Sequence, residues 1–133
     1  MPRSSRRQET AATIAERIAE DMRALNYATL PHDGFPGLAG PVDAHNTIGA
    51  LETAIARMPQ ALGQIRAFLL TQDRVPRLAD DFSRFAGQPH AAIAHTVALL
   101  GQAGAGLRPV EHALDGAHNA TAGLYIAGPD DAR

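Results

Sequence analysis

Residues 48–69 read IGALETAIARMPQALGQIRAFL. Ile48, Leu51, Ile55, Met58, Leu62, Ile65 and Leu69 are spaced 3, 4, 3, 4, 3 and 4 residues apart. That is an unbroken heptad-type seam, the pattern that two packed helices share. It runs straight through Pro59. A proline there removes one backbone hydrogen bond and crowds the preceding turn, so a kink or a break is expected. The preserved register favours one kinked helix over residues 43–74.

Downstream, Pro76 is expected to open a shorter helix with Leu78, Phe82 and Phe85 on one face, stopped by Gly87. Pro89 suits the first position of the next helix. There Ile93, Val97, Leu100, Ala103, Leu107, Val110, Leu114, Ala117, Thr121 and Leu124 again recur at helical spacing, with one slip between Leu100 and Ala103. Gly101, Gly104 and Gly106 lie at the slip and Pro109 follows. Each glycine costs about 1 kcal/mol against alanine in a helix, so a bend or an opening is expected.

Upstream, Ser5 and Gln8 have the spacing of a capping box, which would start a first helix near Ser5. Ala11, Ile14, Ile18, Met22 and Leu25 form its apolar face, and Arg17 with Asp21 an exposed ion pair. Pro31 ends it, because the residue before a proline is pushed out of the helical region. The loop LPHDGFPGLAGPVD, residues 30–43, holds three prolines and three glycines together with Leu30, Phe35, Leu38 and Val42. Rigid turns carrying apolar side chains suggest a packed connector over one end of the seam. With no strand-period segment and no internal repeat, the expected fold is all-α. It is a single domain over 1–133, an elongated bundle of three to four helices, with the first helix docked on a long hairpin. A basic arm over 1–5 and a loose tail over 128–133 complete it.

Composition narrows the function classes. The 133 residues suit one core. Twenty-seven alanines and twelve arginines without a lysine indicate a GC-rich bacterial source. With no cysteine, disulfides, thiolate zinc sites and cysteine nucleophiles are excluded. Net charge is −2, which argues against a general polyanion binder. The N-terminal arginines precede no apolar segment, and no run approaches the about 18–20 residues of a membrane span. A cytoplasmic protein with no membrane association is expected.

Few residues suggest chemistry. Glu111, Asp115 and His118 lie at i, i+4 and i+7 on one helical face, and such donors hold metals in helical bundles. Bundle di-metal sites repeat an E-x-x-H unit on two helices, whereas here one D-x-x-H stands alone. Solvated or locally paired side chains are the simpler expectation, and a metal or small-ligand site the alternative. His95 and His112 project away from the seam, while His45 and His90 flank it near helix starts and could approach a partner helix. Ser4, Ser5 and Ser83 lack a nucleophile setting. A G-x-x-x-x-G-K-[ST] phosphate loop is impossible without lysine. No cofactor and no enzymatic activity are expected. Arg3, Arg6 and Arg7 form a short basic arm that could touch phosphates.

Residues 25–65, LNYATLPHDGFPGLAGPVDAHNTIGALETAIARMPQALGQI, resemble a segment of uncharacterised small alanine-rich helical proteins of actinomycetes. Some of those are carried on plasmid-like or integrative elements. The resemblance implies a bacterial cytoplasmic helical protein and brings no catalytic residues with it.

The leading expectation is a non-enzymatic helical module that works through protein–protein contact, as a homo-oligomer or with another helical protein. Its contact would be the seam from Ile48 to Leu69, unless the last long helix covers that seam internally. A nucleic-acid accessory protein using Arg3, Arg6 and Arg7 is the second expectation. A ligand-binding bundle centred on Glu111, Asp115 and His118 is the third.

Overall fold

The computed structural model describes residues 8–129. Among them are three α-helices, α1 (Ala11–Ala28), α2 (Pro41–Gln72) and α3 (Pro89–Thr121), one 3-10 turn (Pro31–Asp33) and no strand. Proline occupies the first position of both α2 and α3, where its missing N–H would have had no helical partner. At 32 and 33 residues, each helix is about 50 Å long.

These two helices pack as an antiparallel hairpin. Near one end, the His45 Nδ1 of α2 lies 2.9 Å from Thr121 Oγ1, the last residue of α3. Much further along, Arg66 Nε donates to the Val97 carbonyl at 3.0 Å. At the other end, Asp73 just beyond α2 meets His90 in the first turn of α3, with Oδ1 to Nδ1 at 2.6 Å. Among the described residues, α2 and α3 are the helix pair in contact. Both continue through their prolines, Pro59 and Pro109, and α3 through its three clustered glycines. Neither the break at Pro59 nor an opening near Gly104 is present.

The seam of α2 divides along its length. Ile48, Ile55, Leu62 and Leu69 are half-buried throughout. In the other row Leu51 is half-buried, but Met58 is 37% and Ile65 46% exposed. A straight α-helix drifts by about 20° per heptad against a seven-residue repeat. Over three heptads that drift carries the 51–58–65 row off the α3 side.

Helix α1 starts later than the capping box suggests. Residues 8–10 are not helical, and the Thr10 hydroxyl accepts from the Thr13 N–H at 3.1 Å as the N-cap. Ser5 lies outside the described residues. Arg17 reaches back to Glu9 at 2.5 Å rather than forward to Asp21. The helix ends where Pro31 requires, with the Thr29 N–H donating to the Leu25 carbonyl at 3.0 Å.

The loop after α1 is tightly turned. Gly34 and Phe35 both have positive φ, at 71° and 54°. The Gly37 N–H donates to the Ala28 carbonyl at 2.6 Å. A Cβ at Gly37 would lie 2.8 Å from that of Ala28, so only glycine permits this approach. The expected cover is partial: Leu30 and Leu38 are half-buried, but Phe35 and Val42 are exposed.

The helix expected after Pro76 is not formed; residues 73–88 are turns and bends. Asp80 explains this. Its carboxylate accepts from the backbone N–H of Phe82 at 3.3 Å and of Ser83 at 2.9 Å, and from the Ser83 hydroxyl. The Gly87 N–H closes back on the Asp80 carbonyl at 2.7 Å. Side chains of this kind offer backbone donors an alternative to a helical ladder.

Against α2 and α3, α1 forms no close helix–helix contact, so the expected docking of the first helix is not made. Ile93, at 8% exposure, is the one buried residue among those described. The chain exposes 10743 Å², whereas a monomer of 14.0 kDa is expected to expose about 6,700 Å². With about 150 Å² set aside for every residue outside 8–129, and the expected surface lowered to about 6,300 Å² for the mass that remains, the surplus is about 2,800 Å².

Candidate interaction surface

The apolar positions of α1 recur every three or four residues, so Ala11, Ile14, Ala15 and Ile18 lie on one face. Glu16, Glu20 and Arg23 take the opposite face. There Arg23 donates to Glu20 at 2.6 Å and sits 5.7 Å from the Tyr27 ring centroid. The hydrogen bond to Glu20 raises the Arg23 pKa further above its ordinary value.

The apolar face of α1 looks across a gap toward α2. There Ala61, Ile65 and Phe68, with Gln64 among them, form the far wall of an open groove of about 530 Å³. Ile18 at 57% and Phe68 at 60% are among the most exposed large apolar side chains of the helices. Among the described residues the walls carry no charged residue, and Gln64 is their single polar side chain. Small and large residues alternate across them: alanines at 11, 15 and 61 leave recesses between Ile14, Ile18, Ile65 and Phe68. Of the seam positions, Ile65 belongs to this groove.

The histidines tell a different story from the metal expectation. His118 leaves the company of Glu111 and Asp115 and stacks on His45, with ring centroids 4.1 Å apart and planes at 14°. The stack is possible because α2 has glycine beneath it: a Cβ at Gly49 would lie 2.6 Å from His118 Nε2. Thr121 Oγ1 partners His45 and also donates to the carbonyl of Ala117 or His118.

Glu111 and Asp115 instead border an open depression of about 350 Å³ with Glu52, Arg108 and His112. Asp115 accepts weakly from Asn119 at 3.4 Å. Among the described residues, no group of three or more carboxylates or imidazoles is placed to hold a metal ion. Glu111, Asp115 and His118 share a helix but do not converge. Arg3, Arg6 and Arg7 lie outside the described residues. No helix among the described residues is long and apolar enough to cross a membrane.

Phe68, Ala61 and Gln64 were not distinguished by the seam reading, because they lie on the row beside it. The signal was available: Ala61, Ile65 and Phe68 are spaced 4 and 3 residues apart, a second apolar stripe on α2. Nothing in the spacing joins His45 to His118. Neither a protein-family model, nor a curated protein, nor a solved structure matches this chain.

Proposed function

We propose that the chain is a non-enzymatic helical interaction module that associates with itself. The observation that carries this reading is the surplus surface. A fold of this mass with a single buried residue among those described exposes about 2,800 Å² more than a self-sufficient monomer would. Obligate interfaces bury about 2,000–5,000 Å² in total, so one such contact would remove much of the excess. The α2–α3 hairpin supplies a scaffold, and the exposed apolar residues of α1 and α2 supply the contact. The bends that Pro59 and Pro109 would impose belong to the same reading, since a curved hairpin wraps a partner more fully than a straight one.

Native mass spectrometry of the untagged protein tests this reading. It predicts a mass of twice the 14.0 kDa chain, without a bound adduct. A bare 14.0 kDa species at micromolar concentration contradicts it.

A further inference from the structure

We infer that the groove between α1 and α2 is the self-association surface, and that its occupant is the same groove of a second copy. The inference rests on the self-association reading and names the surface that reading leaves open. Two copies face each other across a two-fold axis, so that α1 and α2 of each chain build one four-helix core.

Three observations point to a second copy rather than to an unrelated helix. In a two-fold contact the same patch meets itself, so it must be self-complementary. This groove holds its own knobs and its own recesses: Ile14, Ile18, Ile65 and Phe68 against Ala11, Ala15 and Ala61. Rotated onto itself, it can place the large side chains of one chain into the alanine recesses of the other, as packed bundles do.

Charge is the second observation. A patch bearing one sign of charge repels its own copy across a two-fold axis. Among the described residues the groove walls carry none, and Arg23 and Glu20 pair with each other on the far side of α1. Area is the third. Among the described residues neither wall is covered, since Ile14, Ile18, Ile65 and Phe68 are exposed and α1 makes no close contact with α2. The surface left over, about 2,800 Å² per chain, is more than a standard interface takes from one partner, about 800 Å².

The test uses sedimentation equilibrium and cross-linking of the full chain. Ile18→Asp and Phe68→Asp each place a charge in the groove at positions 57% and 60% exposed, outside the α2–α3 contact. Both should weaken dimerisation at least tenfold while circular dichroism still reports the α2–α3 hairpin. Leu99→Asp, on an exposed position of α3 outside the groove, should leave dimerisation unchanged.

Because the chain has no cysteine, Ile18→Cys and Phe68→Cys can be introduced one per chain. Mixed and oxidised, they should give a disulfide between the two variants. A wild-type monomer would overturn the self-association reading and this surface with it. A dimer that survives both groove substitutions but falls to Leu99→Asp would overturn the groove alone. A chain carrying both cysteines that closes only within itself would show α1 folding back on α2, and would also overturn the groove.

Discussion

The imidazoles of His45 and His118 stack 4.1 Å apart and tie the start of α2 to the last turn of α3. Ring pairs of this kind contribute about 0.5–1.5 kcal/mol beyond their burial. A double-mutant cycle of His45→Ala and His118→Ala, read by urea denaturation, should therefore give a coupling of about 1 kcal/mol. Gly49→Ala tests the same contact from beneath. The new methyl would meet His118 Nε2 at 2.6 Å and expel the ring from the stack. Helix propensity gains about 1 kcal/mol from the same change, so stability should move little while the His45 ring resonances shift.

Arg66 bridges the hairpin about two turns from its closed end. Its Nε donates to the Val97 carbonyl at 3.0 Å, and the guanidinium lies 3.4 Å from where a Cβ on Gly101 would stand. Arg66→Ala should cost about 1.5 kcal/mol, the lower end for a charged donor because the group is only half-buried. Arg66→Lys should not restore it, since an ammonium lacks the fixed geometry of the Nε donor. Thermal unfolding of the three proteins decides the matter.

Helix α1 owes its cap to Thr10, whose hydroxyl accepts the Thr13 N–H at 3.1 Å. Thr10→Ala should destabilise α1 by about 1 kcal/mol. Most helical stability in proteins comes from packing an amphipathic face rather than from propensity. If α1 packs only in the dimer, its helicity should depend on concentration. Circular dichroism should therefore show a larger helical loss for Thr10→Ala at low protein concentration than at high.

Acid should loosen the turn between α2 and α3. Hydrogen bonds from the Ser83 hydroxyl, then from the Ser83 and Phe82 N–H groups, hold the Asp80 carboxyl below its ordinary value of 3.8. A carboxyl whose folded pKa is depressed adds stability above its unfolded pKa, and that stability is lost as pH falls through the folded value. The Phe82 and Ser83 amide resonances should therefore titrate together with a midpoint below 3.8. Ser83→Ala should move that midpoint upward.

The two long helices were legible because their apolar residues recur at spacings of 3 and 4 over many turns, a signal local side chains cannot imitate. Pro89 marked the start of α3 and Pro31 the end of α1 for equally local reasons. The segment after Pro76 misled because Leu78, Phe82 and Phe85 fit a helical face, while Asp80 captures the backbone donors such a helix would need. The capping box set the start of α1 too early, since Thr10, five residues beyond Ser5, serves as the cap. The seam was read as one surface, but helical drift turns Ile65 toward α1 while Leu62 and Leu69 stay half-buried. The histidine stack was illegible because it joins two distant turns through a glycine whose importance lies only in what rests on it.

Sedimentation equilibrium of the untagged wild-type chain across micromolar concentrations tests the central claim most directly. The account predicts a monomer–dimer equilibrium that approaches twice 14.0 kDa as concentration rises. A constant mass of 14.0 kDa would mean that the exposed faces of α1 and α2 do not meet a second copy, and would contradict it.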